Sequence, residues 1–172
     1  HFAPDLNSLL PARMKDAGRK RVLFIDDRVP HTWLGSGFPR SRSTLQSLVM
    51  TLNCFATFYP LTEFDEDWPS VYSDMLPQIE FMMGYGPAML EPFLRHRANY
   101  YDTVYISRPH NMKILKPILD AHPEWFEETR IVYDAEAIFV TREITFRNMS
   151  GCPLSDEQVE SLLQEEVDLA SA

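Results

Sequence analysis

The residues of this chain best suited to chemistry stand where short apolar runs end. The run Arg21–Asp26 (RVLFID) leads into Asp26, Asp27 and Arg28. The run Thr103–Ser107 (TVYIS) leads into Arg108, Pro109, His110 and Asn111. The run Arg130–Asp134 (RIVYD) ends in Asp134, with Glu136 two residues on. A histidine in such a place can accept or donate a hydrogen bond, carry a proton or stabilise charge near neutral pH. It can equally cap or pack against the helix that follows. Two carboxylates so close together suit sugar hydroxyls. The local alternative makes Asp134 a helix N-cap and Glu136 a first-turn acid favoured by the helix dipole.

The segment after the first run, Val29–Arg42 (VPHTWLGSGFPRSR), exceeds the roughly two to six residues usual between a strand and a helix. It holds Gly35, Ser36, Gly37 and Arg40, with Ser41 and Ser43 placed to cap a following helix. Glycine permits close backbone approach, and a helix N-terminus offers free N–H groups to a phosphate or carboxylate. The competing reading is a surface loop with turn glycines. The spacing is not that of a dinucleotide fingerprint: the glycines come late, and Arg40 stands where a third glycine belongs. His31 and Trp33, in a loop expected to be mobile, could stack on a ligand ring or pin the loop. Among the other histidines and tryptophans, His96 reads as helix surface and His122 as a turn residue. Trp68 and Trp125 read as fillers at loop-to-sheet junctions.

These candidates need a scaffold that brings strand ends together. Besides the three runs above, Phe55–Tyr59 is apolar and β-rich, and Glu80–Met83 is a weaker fifth run. Nearly continuous apolar character marks strands covered on both faces. Leu45, Leu48, Val49 and Leu52 recur at helical spacing, as do Met89, Leu90, Phe93 and Leu94, and Ile114, Leu115, Ile118 and Leu119. Pro92 and Pro117 predict that the last two helices kink or start late. Strands alternating with helices predict an α/β fold: a doubly wound, mostly parallel, Rossmann-like sheet. Ligands of such sheets bind beyond the carboxyl ends of the strands. Three segments are expected: a lead-in over 1–18 with a helix from Asp5 to Gly18, the Rossmann-like domain over 19–151, and a C-terminal acidic amphipathic helix over 152–172. That last helix opens with a capping box at Ser155 and Gln158 and carries Val159, Leu162, Leu163, Val167 and Ala170 as an apolar stripe.

Composition bounds the functional classes. The 172 residues carry 16 basic and 25 acidic side chains, a net charge of −9 that disfavours nonspecific nucleic-acid binding. Cys54 and Cys152 form neither a disulfide framework nor a zinc set, and Cys54 reads as a small buried hydrophobe. The absence of H-E-x-x-H, C-x-x-C and G-x-S-x-G disfavours metal hydrolysis and serine-type acyl transfer; no metal is expected, and no cofactor either. Lacking a signal-peptide pattern or an apolar span, the chain is expected in the cytoplasm.

The ordered series RVLFIDDRVP, GSGFPR, YDTVYISRPHN, RIVYDAEAIFVTRE and PLSDEQVESLLQEEVDLA, over about residues 20–172, resembles the N-terminal half of bacterial GT-B-fold glycosyltransferases of the group 1 type. The resemblance implies one half of a GT-B fold, the acceptor-side domain of a retaining enzyme of polysaccharide biosynthesis. It implies a nucleotide-sugar donor, a glycan or lipid-linked acceptor, and peripheral membrane association through the full-length protein. It places Gly35, Ser36, Gly37 and Arg40 at the donor's phosphates and sugar, His110 as the catalytic histidine near the transferred sugar, and Asp134, Glu136 and Arg108 on the acceptor side. The C-terminal donor domain would be missing, leaving this piece inactive alone.

Two other readings stay open. A receiver-like signalling domain fits the acidic pair Asp26–Asp27, although Ser107 or Arg108 stands where an aspartate is needed and no lysine follows Asp134. Another Rossmann nucleotide-binding enzyme is the third reading, opposed by the late glycines.

Overall fold

A computed structural model of the chain describes residues 18–35, 37–62 and 65–171. The expected lead-in helix therefore lies outside the described residues, apart from Gly18. Five parallel strands form one sheet: β1 (Arg21–Asp26), β2 (Phe55–Pro60), β3 (Glu80–Phe81), β4 (Thr103–Ser107) and β5 (Arg130–Asp134). All five expected runs are strands. Their order across the sheet is β3-β2-β1-β4-β5. This is the Rossmann order, whose direction of winding reverses between β1 and β4. Receiver domains place their third strand beside the first, so the order sets the receiver-like reading aside.

Among the described residues, six α-helices connect and cover the strands: α1 (Phe38–Met50), α2 (Trp68–Asp74), α3 (Leu90–His96), α4 (Pro109–Ala121), α5 (Phe139–Met149) and α6 (Asp156–Ala170). Strand side chains alternate between the two faces, and each face has its own apolar layer. Leu23, Ile25, Tyr59 and Ile106 pack with Leu90, Phe93 and Leu94 of α3, Met112, Leu115 and Ile118 of α4, and Leu169 of α6. On the other face Phe24, Ala56, Phe58 and Phe81 pack with Leu45 and Val49 of α1 and with Val71 of α2. Burying a side chain such as Phe24 or Phe58 contributes about 1.5–3 kcal/mol. This double cover is why the strands read as continuous apolar runs.

The helix patterns are realised with local differences. Pro92 falls in the first turn of α3, where its missing N–H costs nothing. Pro117 lies inside α4, which runs through it to Ala121. Ser155 caps α6 through the expected capping box with Gln158. The expected apolar stripe of α6 is only partly covered: Val159 and Leu162 are half-buried and Leu163, Val167 and Ala170 are exposed, while the buried residue is Leu169, outside that stripe. The short helix α2 was not foreseen; Asp67 caps it by accepting from the Ser70 N–H, and Pro69 sits in its first turn. Trp68 is not a junction filler, since it is exposed and stacks on Tyr72. Trp125 does pack against the core and stacks on His122. Among the described residues, no helix is long and apolar enough to cross a membrane.

Candidate functional site

Parity along β1 decides where its carboxylates go. Asp26 shares the face of Phe24 and so points toward α1. There it is completely buried and accepts from the Ser41 hydroxyl at 2.6 Å, the Asp27 N–H at 2.8 Å and Arg108 Nε at 3.0 Å. Burial pushes its carboxyl above the usual range, and those three donors pull it partly back. Three donors on one buried carboxylate make Asp26 the fixed centre of this rim.

Around that centre stand the groups delivered by the neighbouring strands. Arg108 follows β4 in a left-handed conformation, φ 78° and ψ 143°, which a non-glycine residue rarely adopts. Its guanidinium reaches back across β1 to Asp26 and to Asp27, the latter at 3.0 Å. The same guanidinium lies over the Phe38 ring, 4.5 Å from its centroid. Its Nη2 is buried without a hydrogen-bond partner, and the Glu136 carboxylate lies 3.6 Å away. Asp27 also accepts from Asn111 at 2.8 Å and pairs with His110 at 2.5 Å. His110 is itself mostly exposed, and its ring is tied to Asp27.

At the end of β5, Asp134 pairs with Arg40 and accepts from the Tyr105 hydroxyl at 2.5 Å. Burial shifts the Tyr105 phenol upward, so it stays a donor. Asp134 does not cap a helix: α5 begins only at Phe139, with Ile138 before it, and Asp134 Oδ1 accepts from the Glu136 N–H instead. Nor is Glu136 a first-turn acid, since it takes a left-handed turn at φ 60°. Its carboxyl folds back against Gly37 and fills the place that a Cβ there would occupy.

Most of the expected site residues therefore converge. Gly37, Arg40, Arg108, His110, Asp134 and Glu136 lie on one rim, above β1, β4 and β5. Gly35 stands in open space, and Ser36 lies outside the described residues. The loop reading changes elsewhere as well. His31 is fully buried and stacks on Trp33 at 4.1 Å, so this part of the loop is pinned. Sequence reasoning passed over Asp26, Ser41, Tyr105 and Asn111 as members of one network. The face parity of Asp26 was the available signal for the first of these.

Two helix N-termini open onto the same rim. Neither α1 nor α4 has a side-chain cap or an acid in its first turn. Their positive dipole ends favour an anion, and at α1 the Glu136 carboxylate already lies against the N-cap Gly37. Among the described residues, no group of three or more His, Cys, Asp or Glu could hold a metal ion.

Comparison with known proteins finds no matching family model and no matching curated protein. Two solved structures are similar in fold, both short-chain dehydrogenases/reductases from Veillonella parvula. One, of the wide type and in complex with NADP, has 13% identity and a TM-score of 0.48. The other, ethylated, has 13% identity and a TM-score of 0.44. Each alignment covers 86% of this chain and 62% of the neighbour, so the chain spans less than two thirds of either.

These findings correct the expectation of a GT-B glycosyltransferase. Neither the family nor the activity is found among the matches, and the structural neighbours are oxidoreductases by name. The nucleotide-sugar donor and the glycan or lipid-linked acceptor go with it. At the glycine turn expected to cradle a donor's phosphates, the Glu136 carboxylate lies against Gly37 and Asp134 pairs with Arg40. What stands is the coarser reading: a five-stranded parallel Rossmann-like sheet flanked by helices.

Proposed function

We propose that this domain binds a nucleotide-type ligand, one bearing phosphate and sugar hydroxyls, across the β1–β4 switch point. The observation that carries the reading is the buried Arg108 Nη2. It has no hydrogen-bond partner and lies on a rim where Arg40, two uncapped helix N-termini and four carboxylates meet. A buried guanidinium N–H left unsatisfied is costly, and a phosphate oxygen would satisfy it. Arginine also matches phosphate in a bidentate fork. The carboxylates of Asp27, Asp134 and Glu136 supply acceptors for ribose hydroxyls. Ligand binding at the switch point is the general habit of open α/β sheets.

In this reading the Glu136 carboxylate stands where the phosphate binds. An incoming phosphate displaces that carboxylate from Gly37, and Arg108 and Arg40 exchange carboxylate partners for phosphate oxygens. The exchange of one anion for another limits the net electrostatic gain, so modest affinity is expected.

Calorimetric titration with NADP, NAD, ATP and inorganic phosphate tests the proposal. The phosphate-bearing nucleotides should bind, and Arg40→Met should weaken them at least about tenfold, the loss of one charge-assisted contact. Arg40 is half exposed, so the variant should keep its fold. Absence of binding by every nucleotide at millimolar concentration, or unchanged affinity in Arg40→Met, would overturn it.

A further inference from the structure

A second cluster of charged groups lies away from the Arg108 rim, beneath the loop between β1 and α1. His31 is fully buried there, with a carboxylate on each ring nitrogen. Nδ1 lies 3.2 Å from Asp74, the last residue of α2, and Nε2 pairs with Glu66, in the connection from β2 to α2. Asp74 also accepts from the Thr32 N–H at 2.8 Å, the Thr32 hydroxyl at 3.2 Å and Arg42 of α1 at 3.0 Å. Burial would raise the Asp74 carboxyl, but the Thr32 N–H, His31 and Arg42 together hold it below the usual range.

Hydrogen-bond inventory constrains the protons. An ionised carboxylate accepts only, and a neutral imidazole has one donor. Asp74, held in place by Thr32 and Arg42, is the partner assigned the Nδ1–H. The contact between Nε2 and Glu66 then needs one more proton, carried either by the imidazole or by the Glu66 carboxyl. With that proton, His31 and Arg42 balance Asp74 and Glu66, and the Arg28 cation lines the depression beside Glu66, where the carboxylate goes once it leaves the imidazole. Without it, an imidazole lone pair faces a carboxylate in a water-poor space.

We infer that this shared proton is a latch on the β1–α1 loop, closed when it is bound and released when it leaves. Glu66 is the moving part. It lines a depression at the carboxyl end of the sheet together with Arg28, Thr62, Met83 and Gly84, so it has a solvent-facing place to go. Asp74 stays, because Arg42 and Thr32 hold it. The latch's contribution to loop closure is present at low pH and is lost as pH rises past the midpoint of the shared proton. It is independent of any ligand at the Arg108 rim.

The test is amide hydrogen exchange of residues 29–35 across pH, corrected for intrinsic rates, alongside imidazole ¹H–¹⁵N spectra of His31. The wild-type His31 imidazole ¹⁵N shifts should change as pH rises and the shared proton leaves, and loop exchange should quicken at least about tenfold across the same midpoint. Glu66→Gln supplies an amide donor to a neutral Nε2, so its loop should stay protected with no pH dependence. Loop protection that is flat with pH in the wild type, or a pH dependence that survives in Glu66→Gln, would overturn the latch.

Discussion

Arg108 offers the sharpest test of the energetics of the rim, because it holds a buried carboxylate and also occupies strained backbone. Replacing it by methionine keeps much of its bulk over Phe38 and removes the cation beside Asp26. Losing one member of a buried ion pair costs about 3–5 kcal/mol. Asp26 keeps the Ser41 hydroxyl and the Asp27 N–H, so the low end, about 3 kcal/mol, is expected at neutral pH. The pH dependence has a definite sign. The Asp26 carboxyl already lies above its ordinary value through burial, and Arg108 lowers it. Without Arg108 it rises further, so the folded state binds more protons than the unfolded state, and stability falls as pH rises. The deficit of Arg108→Met should therefore shrink as pH is lowered, because a protonated Asp26 needs no cation. A separate comparison isolates the backbone. At φ 78° a side chain is strained, so Arg108→Gly should be more stable than Arg108→Ala by about 1–3 kcal/mol. Urea unfolding of the three variants and the wild type at about pH 7.5 and about pH 5 measures both effects. A deficit below about 1 kcal/mol at neutral pH, one that is constant with pH, or equal stability of the glycine and alanine variants would refute the reasoning.

Three further outcomes are expected. Burial would raise the Asp102 carboxyl, but Arg21 and Lys20 bring it down to about 2. Its contribution, on the order of 2 kcal/mol, is present above the unfolded value and is lost as pH falls toward that figure, so Asp102→Asn should flatten the acid limb of the stability curve. Gly37→Ala should displace the Glu136 side chain at a cost below about 1 kcal/mol, since Gly37 has an ordinary φ of −73° and the colliding atoms end a flexible chain. Thermal unfolding would report a rigid clash instead as a much larger loss. Ser155→Ala should destabilise α6 by about 1 kcal/mol by removing its cap, read from urea midpoints with an unchanged slope.

The fold was legible because its central strands are covered on both faces: RVLFID and FATFYP are buried from their second residue onward and so read as nearly continuous apolar runs. Helix α2 was hidden by its length, being seven residues with one buried apolar side chain, Val71, so that no period could emerge. Helix α5 was equally silent, since only Val140 is buried and Phe146 and Met149 face outward. On the rim, the strand-end rule located Arg108, His110, Asp134 and Glu136. It did not reveal that Asp134 and Glu136 bind back onto Arg40 and Gly37, because those contacts join residues about a hundred positions apart. The burial of His31 was illegible for a similar reason. Its partners, Glu66 and Asp74, come from a connection and a helix that carried no signal of their own. The ordered run of motifs was read as a transferase, although each of those motifs also serves a Rossmann sheet of another kind.

The most direct measurement is a map of backbone amide shifts during titration with a phosphate-bearing nucleotide such as NADP or ATP. The largest changes should fall at Asp26–Arg28, Gly37–Arg40, Ser107–Asn111 and Asp134–Glu136, the segments that meet where the sheet reverses its winding. Saturable changes confined to other segments, or no saturable change at all, would contradict binding there.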